Sequence, residues 1–147
     1  MKVELFTLCD AATVDAGGKL NILGSFDRIN ALQAPIVHPL CAMAVKCRFE
    51  KVEEGPKRIR ISVIDSDGRL IMPTLEAQIQ IHIPPDSLTA TAQLVLVIPQ
   101  IKLPNFGEYS IDLAVDGRQE ASIPLYVKQI PLVPPMQPPA PQESQPQ

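Results

Sequence analysis

The sequence is poor in thiols, in positive charge and in long apolar runs. Cys9, Cys41 and Cys47 are odd in number. With no secretory leader before them they are expected to be reduced, and the protein cytoplasmic. The opening Met-Lys-Val-Glu-Leu-Phe-Thr-Leu-Cys-Asp carries a charge at Glu4 and lacks the apolar centre of a signal peptide. No run approaches the ~20 apolar residues of a membrane helix, so no membrane span is expected. Lys and Arg number 13 against 16 Asp and Glu, a net charge of −3 that favours neither nucleic acid nor an anionic membrane. No stretch reads as a long helix.

What the chain does have is alternation. Its 147 residues, 46% of them hydrophobic, suffice for one domain. Residues 2–14 are apolar-rich and end at Asp15-Ala16-Gly17-Gly18, a turn signal. Residues 19–26 follow as the partner strand, and a four-residue loop would set Cys9 opposite Gly24. Residues 27–41, with Pro35 and Pro39, read as a connection from one sheet to another. Met43, Val45, Cys47 and Phe49 then face one way, and Ile59, Ile61 and Val63 do the same in the next run. Joined as a hairpin through Glu53-Glu54-Gly55-Pro56, the two runs pair Phe49 with Ile59 and Cys47 with Ile61. That register sets Arg48 against Arg60, but each buried apolar side chain contributes roughly 1.5–3 kcal/mol, more than a surface repulsion costs. Residues 75–83 give the clearest alternation, and residues 93–98 are apolar on both faces, as in a central strand.

The most informative stretch is 104–127. Tyr109 stands at the mouth of a strand whose inward residues are Ile111, Leu113 and Val115. A Tyr there ties the corner of an immunoglobulin-like sandwich with its hydroxyl. The expectation is therefore an all-β, immunoglobulin-like antiparallel β-sandwich over residues 1–128. A two-residue Asp116-Gly117 loop would set the apolar faces out of step, so Gly117 is expected as a bulge glycine in a three-residue loop, with Tyr109 beside Ile123 and Ile111 beside Ala121. Residues 129–147 are rich in Pro and Gln and read as a disordered tail with polyproline bias. Pro135, Pro138 and Pro141 give Pro-x-x-Pro spacings without a flanking Arg or Lys, so a linker is preferred to an SH3-type ligand.

Candidate chemistry is sparse. Asp65-Ser66-Asp67-Gly68 resembles the start of a calcium loop, but lacks the later ligands of an EF-hand. A C2-like site would need Asp112 and Asp116 at the same end of the sandwich. A plain turn is the preferred reading. Lys46, Arg48, Arg58 and Arg60 would share one sheet face if the hairpin forms, a speculative patch for an anionic partner. Without aromatic residues among them it offers no platform for bases. Cys41, Cys47 and His38 lack the spacing of a metal site, and buried free thiols are expected. His82 lies on a polar face. Gly17-Gly18-Lys19 lacks the pattern of a phosphate loop, and no nucleophile elbow is present.

Leu8-Cys9-Asp10-Ala11-Ala12-Thr13-Val14, Gly18-Lys19-Leu20-Asn21-Ile22-Leu23-Gly24 and Phe26-Asp27-Arg28-Ile29, with Gly107-x-Tyr109 and Val115-Asp116-Gly117 later, resemble a family of small uncharacterised bacterial proteins. The likeness spans residues 1 to about 128. It implies a bacterial cytoplasmic β-sandwich and assigns no catalytic residue. The expectation is a non-enzymatic module that needs no cofactor and binds another protein, through a sheet edge or the loops at one end. The alternative is a small-ligand or calcium-dependent lipid-binding sandwich.

Overall fold

In a computed structural model, which describes residues 1–132 and 135–141, the alternating runs become strands. They are β1 (Lys2–Val14), β2 (Leu20–Ser25), β3 (Arg28–Ala31), β4 (Ile36–His38), β5 (Cys41–Glu50), β6 (Gly55–Ile64), β7 (Leu75–Ile81), β8 (Thr89–Ile98), β9 (Ile101–Leu103), β10 (Gly107–Val115) and β11 (Arg118–Gln129). One sheet has the order β2-β1-β5-β8, a second β3-β11-β10-β6-β7, and β4 pairs with β9 in a small third. The two larger sheets share one core. Leu8, Met43, Val45 and Phe49 of the first meet Ile59, Ile61, Ile111, Leu113 and Leu125 of the second, all at most 1% exposed. Residues 27–41, expected as a connection from one sheet to the other, instead leave and rejoin the same sheet: β2 and β5 both belong to the first, and the segment between them places β3 in the second and β4 in the third.

Several registers differ from the expected ones. β5 and β6 are not a hairpin. Phe49 pairs with Ala90 and Cys47 with Ala92 on β8, while Ile59 and Ile61 pair with Ala77 and Leu75 on β7. A single 3₁₀ turn, Lys51–Glu53, carries the chain from one sheet to the other. Burial of the two apolar rows is served equally well by facing across a core, so their matching did not require a shared ladder. The sheets are also not wholly antiparallel, because β3 runs parallel to β11. The run 93–98 lies in β8, which is an edge strand and not a central one.

Cys9 stands opposite Ser25, not Gly24. The cause is the Asp15 side chain, whose Oδ1 accepts the N–H groups of Gly17 and Lys19 at 2.9 and 3.0 Å. That closes a loop one residue longer than expected, so that Val14 pairs with Leu20. Gly24 therefore meets Asp10. It has φ +67°, and a β-carbon there would lie 2.9 Å from Asp10 Cγ and closer still to Oδ2. Only glycine accepts both the dihedral and the contact.

The Tyr109 corner forms as expected. The Asn105 N–H donates to Tyr109 Oη at 3.1 Å, and the hydroxyl donates to the Asn105 carbonyl at 2.8 Å. The last turn is different in detail. Asp116 and Gly117 both have positive φ, 50° and 80°, the pattern of a two-residue type I′ turn. The irregularity that restores agreement of the faces lies farther on: Leu113 pairs with Ala121 but Ala114 with Gln119. Ile111 is thereby set beside Ile123 and Tyr109 beside Leu125. Gly117 is left-handed without being the bulge.

The ladder runs to Gln129, and the Ile130 N–H still donates to the Ala31 carbonyl at 2.9 Å. Residues 131, 132 and 135–141 have no regular structure and are exposed. The tail expected over 129–147 otherwise falls on 133, 134 and 142–147, which lie outside the described residues. Among the described residues no helix is long and apolar enough to cross a membrane.

Candidate functional site

The basic patch is split by the fold. Lys46 and Arg48 lie on β5 in one sheet, Arg58 and Arg60 on β6 in the other. Glu4 takes Arg48 Nε at 3.1 Å and Lys46 at 3.9 Å. The hydrogen bond from Arg48 holds the Glu4 carboxyl below its ordinary range. Arg60 is paired with Glu76 at 2.8 Å and depresses it likewise. Arg58 and Arg60 line a shallow cleft of about 420 Å³ beside Asp116 and Gly117.

The carboxylates of the calcium reading do not converge. Asp65 Oδ1 accepts the N–H groups of Asp67 and Arg69, each at 2.9 Å, which makes it the hinge of its own turn. Asp116 Oδ1 accepts the Arg58 N–H at 2.9 Å. Asp112 accepts the hydroxyls of Ser110 and Ser122 at 2.7 and 2.6 Å. Because Ser110 pairs with Ile64 and Val115 with Ile59, Asp65 and Asp116 sit at opposite ends of the β6–β10 ladder. The shared end that a C2-like site requires is not formed.

The thiols are free and buried. Burial pushes both Cys41 and Cys47 up to about 11, far from a nucleophilic range. Cys9 donates to the Ala42 carbonyl at 3.4 Å, and burial raises it too. His82 is exposed, 3.9 Å from Glu54.

One polar cleft escaped the reading of the sequence. Asp10, Ser25, Phe26, Arg28, Asn30 and His38, drawn from β1 to β4 and the link after β2, surround about 390 Å³. The His38 ring tilts against Phe26 at 5.2 Å between centroids. Burial lowers its pKa while the Asp10 carboxylate pulls the other way. Asp10, Arg28 and Asn30 are exposed, so this is a shallow, solvated concavity.

A more unusual surface is the free edge of β8. The two larger sheets end in β2, β8, β3 and β7. Edge strands ordinarily carry a device against pairing with other chains. β2 has its left-handed Gly24 with Asp10 lying against it. β3 has only four residues. β7 presents Glu76, Gln78 and Gln80 to solvent. β8 is ten residues long, Thr-Ala-Thr-Ala-Gln-Leu-Val-Leu-Val-Ile, without a charge or a proline. All ten pair with β5. Ala90, Ala92, Leu94 and Leu96 pack on the core but stay only half-buried, because among the described residues no strand pairs with that edge. Its reverse is apolar as well. Val95 packs with Leu5, Leu20 and Ile22 on a second cluster built from Cys9, Ala42 and Ala44, and Val97 is 55% exposed.

A family model described as a family of unknown function (DUF6941) matches residues 4–128. No curated protein matches the chain.

Proposed function

The chain belongs to this family of unknown function, and we propose that it is a non-enzymatic protein-interaction module that takes an extended segment of another polypeptide along β8. The observation that carries the reading is the ten-residue, uncharged free edge of that strand. Strand addition needs such a row of unpaired N–H and C=O groups, and the side chains beside it set which segment fits. Here they ask for a neutral, β-branched or aliphatic segment. The non-enzymatic part rests on where the reactive groups are spent: thiols in the core, and the Asp65, Asp112 and Asp116 carboxylates on their own chain. The fold we assign as immunoglobulin-like, on two sheets over one core and the Tyr109 corner. Three free thiols fit a bacterial cytoplasm.

Fluorescence anisotropy tests the reading with labelled extended peptides. A peptide of residues 87–99 and other neutral Val/Thr-rich peptides should bind, whereas versions with Lys at alternate positions should not. Absence of binding by every neutral peptide at millimolar concentration, in a chain that is monomeric, overturns it.

A further inference from the structure

We infer that the occupant of the β8 edge is β8 of a second copy, joined antiparallel about a twofold axis at Gln93 so that two four-stranded sheets become one of eight. The inference rests on the strand-addition reading above and names its partner. The strand is its own complement. An antiparallel pair centred on Gln93 keeps both faces in register, since residues of equal parity meet. On the outer face Val95 lies opposite Thr91 of the other copy and Val97 opposite Thr89, β-branched pairs that suit a ladder. On the inner face Leu94 meets Ala92 and Leu96 meets Ala90, large against small. Gln93 meets Gln93 on the axis, where each amide can donate to and accept from the other. It now reaches only as far as Thr91 Oγ1 on its own strand, at 3.3 Å.

Charge agrees. No residue of β8 is ionisable, so the pairing brings no like charges together. At about 3.3 Å per residue the shared ladder is about 30 Å long. The apolar reverse of the first sheet, Leu5, Ala42, Ala44 and Val95, would run on into its copy. A twofold contact also closes on itself: once two β8 edges are joined neither remains free, so a dimer and not a fibre results.

Sedimentation equilibrium of the full chain from 2 to 200 µM is the test. A dimer is expected. Thr91→Lys with Val95→Lys puts Lys opposite Lys twice and should leave a monomer. Thr91→Lys with Val95→Glu puts Lys opposite Glu twice and should restore the dimer. Both changes lie on the outer face, and thermal unfolding of each variant checks that it folds. A monomer at 200 µM, a dimer indifferent to the Lys pair, or an open series of oligomers overturns the inference. The labelled 87–99 peptide separates the two claims. A monomeric chain that binds the peptide, with slowed hydrogen exchange in β8, keeps strand addition and rejects the twofold pairing. A monomeric chain that binds neither this peptide nor the other neutral ones rejects both.

Discussion

Replacing Tyr109 by Phe tests the corner on which the β9–β10 connection turns. The ring is 3% exposed and would stay in place, so the change removes the hydroxyl alone. Two hydrogen bonds go with it, one accepted from the Asn105 N–H and one donated to the Asn105 carbonyl. A typical net contribution is about 0.5–1.5 kcal/mol per bond. Asn105 is itself exposed, so water can satisfy its freed backbone groups and the loss falls toward the lower end. The sum is about 1–2 kcal/mol, or a fall in Tm of roughly 3–6 °C for a chain of this size. Urea unfolding followed by far-ultraviolet circular dichroism should show a lower midpoint and an unchanged slope, since the surface exposed on unfolding is the same. Tyr126→Phe, at a half-buried position on β11, is the control and should shift the midpoint little. A Tyr109→Phe variant as stable as the parent would refute the corner as a structural tie. A loss above about 4 kcal/mol would show that the ring had moved, since two such bonds cannot supply it.

Other perturbations have equally definite outcomes. Gly24→Ala should cost about 1–3 kcal/mol through its left-handed dihedral and its collision with Asp10, and part of that should return in an Asp10→Ala background, as a double-mutant cycle in urea would show. Phe49→Ala should cost about 3–5 kcal/mol by emptying the core, whereas Arg60→Ala, which breaks only the exposed pair with Glu76, should stay within about 0.5 kcal/mol, both read from denaturant midpoints. Burial pushes Cys41 and Cys47 up to about 11 in the folded chain, against 9.0 for a free thiol, so the unfolded chain loses their protons first. Their stabilisation is full below pH 9 and is lost as the pH rises toward 11, by about 2–3 kcal/mol per thiol, and a Cys41→Ala/Cys47→Ala variant should show a flatter midpoint over that range.

Burial was legible in the sequence and partnership was not. Ile59, Ile61, Ile111 and Leu113 face inward as their spacing requires, and Tyr109 ties the corner its position announced. Period two fixes which face of a strand is dry. It does not say whether a matching apolar row lies beside it in the ladder or opposite it across the core. Phe49 and Ile59 therefore read as ladder neighbours along the chain although they belong to facing sheets. Turn registers failed for a local reason: one carboxylate, Asp15, lengthens the first loop, and a bulge before Ala121 corrects the last hairpin away from its glycine. The basic patch followed the mistaken hairpin and divided with it. The cleft around Asp10, Arg28 and His38 gathers residues from separate elements, which no spacing along the chain could announce.

The run 93–98 reads as a central strand and stands at an edge, and β7 shows that this conflict is not imposed by the fold. Both strands close the same side of the two sheets, and both send alternate apolar residues into the core: Leu75, Ala77 and Ile79 from β7, Ala90, Ala92, Leu94 and Leu96 from β8. Packing of the shared core therefore constrains the inward positions of the two alike and leaves the outward ones free of it, Val95 alone among them packing on the smaller outer cluster. On β7 those positions are Glu76, Gln78 and Gln80, a polar row that keeps an edge solvated. On β8 they end in Val95, which packs on the smaller outer cluster, and Val97, which is 55% exposed and could be charged without uncovering anything packed. Local pattern and global position agree along β7 and disagree along β8, and such disagreements gather where a surface has a use beyond folding. A neighbour on the open side of β8 removes the disagreement, because the strand then occupies the central place its sequence describes.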